Sequence, residues 1–147
     1  MKMQVYCMTS NAILPTRTHY GDLGYDLYCS APILFNPGDL VLVPTDICIR
    51  FPDGYGGIIK DRSSVVTKQR LTIHAGVIDN GYTGHIQIAM LSSNPQAIII
   101  EKGTKIAQLI LVPVKPVTVE EVGVELWSHL IASTSDKRGV GGFGSTD

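Results

Sequence analysis

Short apolar runs separated by turn-forming residues are the feature that most restricts the fold of this 147-residue chain. Turns are indicated at Pro37-Gly38-Asp39 and Asn80-Gly81, and the segments between turns are rich in β-branched residues. One such segment is 40–51, a predicted strand that we expect to bend near Pro44. Only 61–70 indicates a helix, of one or two turns. We therefore predict an all-β sandwich or barrel with one short helix.

Residues 74–90 have the pattern of a β-hairpin, with apolar Val77-Ile78 before an Asn80-Gly81 turn and alternation after it. Asp79 and Tyr82 flank the turn, and three nearby glycines leave little side-chain bulk around them. A bare backbone beside one carboxylate and one aromatic ring suits a flat polar ligand. The same residues also fit an ordinary hairpin in which Asp stabilises the turn, and the local pattern leaves both interpretations open.

Composition restricts the class of protein, its partners and the compartment in which it works. The chain is 44% hydrophobic and 17% charged, as in globular proteins, and its formal net charge of −1 provides no basic face for nucleic acid. Cys7, Cys29 and Cys48 are odd in number and lack metal-site spacing, which favours reduced thiols. No signal peptide or membrane-spanning run is recognised. We expect a soluble intracellular protein, cytoplasmic or nuclear, without a membrane or nucleic-acid partner.

The glycine-rich C-terminus carries a second candidate site. Arg138 precedes four glycines that surround Phe143, and Ser145-Thr146 follow. Arginine and hydroxyl groups bind phosphate, and a phenyl ring stacks on a base. A disordered terminus has a similar composition, so the residues alone allow both interpretations. We expect a β domain over 1–135 and a flexible arm over 136–147.

Three further places could bind an anion or a metal ion. Arg62-Ser63-Ser64 opens the predicted helix, where hydroxyls, a guanidinium and free amides suit a phosphate, although simple capping explains the serines equally well. Asp26 follows a glycine turn and could hold a hydrated Mg²⁺ or make turn bonds. Gln108, in an apolar strand, either faces solvent or lines a pocket. The four histidines and Trp127 are interpreted as structural, surface or packing residues.

Taken in order, five segments resemble the motifs of the trimeric dUTP pyrophosphatase (dUTPase) family. One motif alone would be weak, whereas five in this order and spacing are specific, and they span nearly the whole chain. The matching segments are 22–27 (Asp-Leu-Gly-Tyr-Asp-Leu), 61–64 (Asp-Arg-Ser-Ser), 76–84, 103–110 and 138–146.

The resemblance implies a distorted jelly-roll (β-clip) subunit in a homotrimer with C-terminal arm exchange. Active sites would lie at subunit interfaces, where dUTP and water give dUMP and pyrophosphate with Mg²⁺ as cofactor. That reaction would keep uracil out of DNA and supply dUMP for dTMP synthesis.

The resemblance also implies roles for individual residues. Asp79 would activate the attacking water, and Tyr82 would pack beneath the deoxyribose, where a 2′-hydroxyl would clash. Asp26 would hold Mg²⁺ through water. The backbone at Gly76, Val77, Ile78 and Gln87 would bind uracil, with Phe143 stacked on it, and the phosphates would be bound by Arg62, Ser63, Ser64, Gln108, Arg138, Gly144, Ser145 and Thr146.

Some positions depart from the family's pattern. Leu23 stands where Ala is usual, and Ser64 where Gly is usual. The segments containing Arg62 and His85 also resemble dCTP deaminases, but Ala89 stands where those enzymes have a catalytic glutamate. A deaminase is therefore the alternative enzyme. A non-catalytic nucleotide-binding regulator of the same fold is a further alternative, against which the intact set of candidate residues argues.

Overall fold

The computed structural model of the protein describes residues 1–133. Within them strands dominate the regular secondary structure, as predicted. The strands are β1 (Gln4–Cys7), β2 (Tyr25–Tyr28), β3 (Ile33–Phe35), β4 (Leu40–Arg50), β5 (Tyr55–Lys60), β6 (Leu71–Ile73), β7 (Val77–Ile78), β8 (His85–Ser92), β9 (Ile98–Ile100) and β10 (Lys105–Pro113), and a helix, α1 (Val124–Ser133), follows them.

The strands form two four-stranded sheets and one two-stranded sheet, with antiparallel pairing throughout. The orders are β1-β4-β8-β6, β2-β10-β5-β7 and β3-β9. In β4 every second residue from Val43 to Ile49 is buried, because successive side chains of a strand point to opposite faces. The core therefore lies against one face of each large sheet, with Leu27, Ile59, Ile88 and Leu109 among its members.

The bend expected near Pro44 is confirmed as a bulge in β4. Pro44 pairs with Gln87 and Cys48 pairs with His85, so three residues of β4 stand opposite Ile86 alone. Asp46, at the centre of the bulge, has a φ of 54°, a left-handed conformation uncommon outside glycine.

The predicted hairpin over 74–90 is wrong, although both of its strands exist. β7 pairs with β5 in one large sheet, whereas β8 pairs with β4 and β6 in the other. The turn between them is closed by the Tyr82 N–H, which donates to the Asp79 carbonyl at 3.1 Å. Neither Asn80 nor Gly81 has a positive φ. The Asn80 side chain instead donates to the carbonyls of Pro52 and Tyr55, which ties the turn to the β4–β5 connection.

Both helical segments are short. The helix predicted within 61–70 is a π-helical turn over Val65–Gln69, and Ser64 makes no side-chain capping bond to it. α1 was not predicted, because its first residue, Val124, ends a stretch with weak strand alternation. Trp127, interpreted as a packing residue, is 55% exposed.

Contacts divide the chain into two compact units, Met1–Lys115 and Pro116–Asp147. The first contains both large sheets, and the described part of the second contains α1. The expected arm over 136–147 lies outside the described residues, so the predicted boundary at 135 stays a prediction. Over residues 1–133 no helix is long and apolar enough to cross a membrane.

Candidate functional site

A polar cavity of about 370 Å³ lies where β2 and β10 meet the turn after β5. It brings together five of the residues singled out in the sequence, from segments distant along the chain. The lining residues are Thr18, His19, Asp22, Leu23, Gly24, Asp26, Arg62, Ser63, Ser64 and Gln108.

The Asp26 carboxylate is held between two cations in this cavity. Its Oδ1 lies 2.9 Å from Nε of Arg62, and its Oδ2 lies 2.8 Å from Nζ of Lys105. The hydrogen bond with Asp26 raises the pKa of Lys105 above its ordinary value of 10.5. Arg62 and Lys105 neutralise this carboxylate and leave one positive charge over, while the Asp22 carboxylate at the rim adds a negative charge.

Gln108 is held in place from two sides. It pairs with Asp26 across the β2–β10 ladder, and its Nε2 donates to the Asp61 carbonyl at 2.7 Å. A Cβ at position 24 would overlap the Gln108 side chain, so only glycine allows the 18–24 loop to approach this closely. The Gln108 amide therefore has a defined position in the cavity wall.

The loop at the cavity rim is closed by Asp22. Its carboxylate accepts hydrogen bonds from the backbone N–H of His19 at 2.8 Å and of Thr18 at 3.1 Å. The bond from His19 is the largest cause of a lowered pKa for Asp22. Asp22 thus stays ionised at neutral pH and holds the loop.

A second hollow, of about 310 Å³, lies between β7 and the start of β8. It is lined by Val77, Ile78, Asp79, Tyr82 and Gln87, and a neighbouring hollow of about 190 Å³ adds Gly76. No described residue hydrogen-bonds the Asp79 carboxylate, which therefore has its lone pairs available to a ligand or water.

Gly76 fixes the course of the backbone beside the smaller hollow. Its φ is 112°, and a Cβ would come within 2.7 Å of the Ile59 carbonyl oxygen. The Ile59 N–H donates to the Gly76 carbonyl at 2.7 Å, which holds the two segments together. Any side chain at position 76 would force them apart, so this stretch presents bare peptide groups.

Tyr82 is folded back over the chain that follows it. Its hydroxyl donates to the carbonyl of His85 at 3.0 Å, and a Cβ at Gly84 would lie 2.7 Å from that hydroxyl oxygen. Gly84 therefore makes room for the ring, which is 45% exposed on the hollow.

The two cavities lie at opposite ends of β5. Ile78 pairs with Gly57, and a Cβ at Gly56 would lie 3.7 Å from the Asn80 nitrogen, so Asp79 sits beside the first residues of the strand. Arg62 lies two residues beyond Lys60, the last residue of the strand. At about 3.3 Å per residue the separation is on the order of 15–20 Å. Asp79 and Arg62 of one chain therefore line separate cavities.

A metal cage built from protein ligands is absent over residues 1–133, where no group of three or more His, Cys, Asp or Glu side chains could hold an ion. Mg²⁺ commonly keeps several waters and takes one or two carboxylates plus substrate phosphates. Both Asp26 oxygens retain lone pairs beyond their ion pairs, so the residues fit a hydrated ion that arrives with phosphates.

Some predicted site residues cannot be placed, and others were missed. Arg138, Phe143, Gly144, Ser145 and Thr146 lie outside the described residues. Lys105 was not assigned a role from the sequence, although its position at the start of the strand that carries Gln108 was a usable signal. Leu42 and His85, which line the second hollow, have no sequence signal of their own because the sheet pairing brings them there.

Comparison with known proteins adds an independent line of evidence. The dUTPase family model matches residues 10–147. The deoxyuridine 5′-triphosphate nucleotidohydrolase of Clostridium kluyveri is 36% identical over 148 residues, which cover 99% of this chain and 98% of that protein.

Solved structures agree with the family match. The Staphylococcus bacteriophage 80alpha dUTPase with dUpNHpp superposes with a TM-score of 0.86 at 28% identity, over 99% of this chain and 98% of that one. A mutant dUTPase from phage phi11 of S. aureus, described with a structural Mg(II) ion, gives 0.76 at 27% identity, over 83% and 97%. A jelly-roll chain with these two cavities, matched along nearly its whole length, belongs to the dUTPase family.

Proposed function

We propose that the protein is a dUTP diphosphatase, which hydrolyses dUTP to dUMP and pyrophosphate. The observation that carries this proposal is the pair of complementary cavities in a chain of the dUTPase family. One is polar and contains the Arg62 guanidinium paired with Asp26, and the other contains the Asp79 carboxylate, which no described residue hydrogen-bonds, beside Val77 and Ile78. The reaction keeps uracil out of DNA and supplies dUMP for dTMP synthesis.

In the proposed mechanism, Asp79 orients a water molecule and accepts its proton as the water attacks the α-phosphorus, and the bond from that phosphorus to the bridging oxygen breaks to release pyrophosphate. Anionic oxygens shield that phosphorus, so a catalyst must neutralise charge and hold the water in line. Arg62 supplies fixed positive charge, while Ser63, Ser64 and Gln108 donate hydrogen bonds to phosphate oxygens. Asp26 would hold a Mg²⁺ ion through water, and that ion would supply further charge neutralisation on the phosphates.

The nucleoside part of dUTP fits the second hollow. Peptide groups at Gly76, Val77 and Ile78, with Gln87 opposite, bind the uracil edge and leave no space for a thymine methyl. Tyr82 packs beneath the deoxyribose and disfavours a 2′-hydroxyl. The fixed backbone around Gly76 supports this assignment, since an unyielding wall discriminates better than flexible side chains.

We further propose that each site forms between copies of the chain, in a homotrimer. The separation of Asp79 and Arg62 along β5 supports this proposal, because one site can combine the two cavities when they come from different copies. The segment with Arg138, Phe143, Gly144, Ser145 and Thr146 would then complete a site on a neighbouring copy, with Phe143 stacked on uracil and the other residues on the terminal phosphate.

The deaminase alternative is disfavoured by the smaller hollow. Ala89 occupies the position that needs a glutamate, and none of the residues lining this hollow carries a carboxylate. A water beside a cytosine ring there would have no carboxylate to activate it.

We also infer that the enzyme works in the cytoplasm or nucleus. All three cysteines are unpaired, and Cys7 is exposed, which suits a reducing compartment. Neither a nucleic acid nor a membrane is proposed as a partner.

A product assay tests the proposed function. The purified protein is supplied with dUTP, dCTP, dTTP or UTP and Mg²⁺, and pyrophosphate, monophosphates and deaminated products are measured. We expect dUMP and pyrophosphate from dUTP and little turnover of the others. Deamination of dCTP would establish the alternative enzyme, and tight nucleotide binding without products would establish a regulator.

A further inference from the structure

A network of hydrogen bonds connects the bulge in β4 to the hydroxyl of Tyr82. The Asp46 N–H donates to Nε2 of His85 at 3.0 Å, and the Tyr82 hydroxyl donates to the carbonyl of the same histidine at 3.0 Å. His85 also lines the hollow that contains Asp79 and Tyr82. One residue therefore links the bulge to the aromatic ring.

We propose that His85 and Asp46 are positioning residues that set the place of Tyr82 and thereby the enzyme's selection of deoxyribose over ribose. The inference rests on the proposed function and deepens it. Neither residue is required to touch the substrate, because both act through the position of the tyrosine ring.

Because of the bulge in β4, the first residues of β8 depend on hydrogen bonds that involve side chains. Regular pairing stops between Pro44–Gln87 and Cys48–His85, so the ladder alone does not fix the strand there. Two bonds replace it, one from Thr45 Oγ1 to the Ile86 carbonyl at 2.5 Å and one from the Asp46 N–H to His85. Thr45 is 1% exposed, so its bond is shielded from competing water.

Asp46 is itself clamped in its left-handed conformation. Its carboxylate accepts the Thr9 hydroxyl at 2.7 Å, and its carbonyl accepts the Met8 N–H at 2.8 Å. With a φ of 54°, the residue aims its N–H at the histidine ring and not along the ladder. The network thus runs from the segment after β1 through the bulge to Tyr82.

The direction of the Asp46–His85 bond requires Nε2 of the imidazole to accept a hydrogen bond. A glutamine at position 85 can present its Oε1 near the same place and accept the same N–H, whereas leucine fills similar volume without an acceptor. These two replacements separate the hydrogen bond from simple packing.

The test compares His85→Leu with His85→Gln. The measured quantity is the ratio of kcat/KM for dUTP to kcat/KM for UTP. We expect His85→Leu to lower this ratio about fivefold, the factor that corresponds to one hydrogen bond of ordinary strength, and His85→Gln to restore most of it. His129→Leu, on the exposed helix α1, is the matched control and should keep the native ratio.

Three results with the variants would overturn the inference. These are a native ratio in His85→Leu, equal losses for dUTP and UTP with a lowered melting temperature, and no restoration by glutamine. Calorimetric binding of the imido analogues of dUTP and UTP gives the ratio without turnover. Native protein that binds the analogues selectively but releases no pyrophosphate would contradict the proposed function alone, and native protein that binds both equally would overturn the inference.

A second pair of variants tests Asp46. Asp46→Gly adopts a positive φ freely and keeps the N–H donor, whereas Asp46→Val disfavours that conformation through its β-branch. We expect the glycine variant to retain most of the dUTP-to-UTP ratio and the valine variant to lose about as much as His85→Leu. An equal loss in both variants would overturn the assignment to the backbone conformation.

Discussion

Asp79 combines two properties that suit a general base, a position at the end of β7 and a carboxylate that no described residue hydrogen-bonds. Replacing it with asparagine preserves its size and most of its polarity but removes the proton acceptor. We predict that Asp79→Asn binds dUTP as tightly as the native protein and lowers kcat about 100-fold or more. Equilibrium binding and single-turnover rates measure the two effects separately.

Asp53→Asn is the matched control for this variant, since Asp53 lies in the exposed turn between β4 and β5. It should keep native turnover. An Asp79→Asn enzyme with a rate close to native would remove Asp79 from the chemistry.

The Lys105–Asp26 pair predicts a stability effect at high pH. The pKa of Lys105 is raised in the folded protein, so the pair's contribution is fully present below the ordinary value of 10.5 and is lost as pH rises through the folded value. We therefore expect Lys105→Met to be less stable than native protein at pH 8 and the difference to shrink above pH 10.5. Urea unfolding midpoints across this range measure it, and a constant difference would contradict the prediction.

Among the strands, β5 depends most on small residues. A Cβ at Gly57 would lie 2.7 Å from Phe51 Cζ and 2.7 Å from Leu109 Cδ1, both in the packed core. We predict that Gly57→Ala lowers the free energy of unfolding by about 1–3 kcal/mol, the usual cost of overpacking. Gly21→Ala, whose Cβ meets nothing within 4 Å, is the control for denaturant unfolding. Equal unfolding midpoints for Gly57→Ala and native protein would show that the core around β5 accommodates the added methyl group.

The elements also show which features of the fold cannot be predicted from local sequence signals. Alternation and turn residues located β4 closely, because those signals are local. They placed β7 and β8 in one hairpin, and this was wrong because pairing partners are chosen by the whole core. Asn80 illustrates the reason, since its side chain bonds to Pro52 and Tyr55, more than 20 residues earlier in the chain. α1 was missed because its apolar residues follow a helical period directly after a stretch with strand alternation.

At the scale of the site, the family resemblance grouped Asp26, Arg62 and Gln108 as phosphate and metal ligands, and the fold places them in one cavity. It did not indicate that Lys105 shares the Asp26 carboxylate, nor that His85 supports Tyr82. Both facts depend on strand register, which the chain acquires only when distant segments pair.

For the whole molecule, the distance along β5 predicts complementation between damaged copies. Asp79→Asn and Arg62→Gln chains should each be nearly inactive alone. When they are unfolded together and refolded, about one site in four draws both intact halves from different copies, and activity should return to that level. Separately refolded chains mixed afterwards are the control. No recovery in co-refolded protein would place both halves in one chain.

The C-terminal segment yields a second prediction at this scale. Removing residues 136–147 should leave the assembly otherwise unchanged in analytical ultracentrifugation, because the sheets of residues 1–115 are retained. Hydrolysis of dUTP should fall severely, since closure of the site over substrate is lost. Full activity in the truncated protein would contradict the role proposed for Arg138 and Phe143.

Gly76 has a consequence for inhibitor resistance. Its backbone conformation and its closeness to Ile59 exclude every larger residue. Substitutions at neighbouring positions change side chains but leave the peptide groups beside Gly76 the same. A compound that hydrogen-bonds to those groups would therefore face a target that point mutations alter only by disturbing the fold. Escape would have to arise elsewhere, through increased expression or changes at the rim of the hollow.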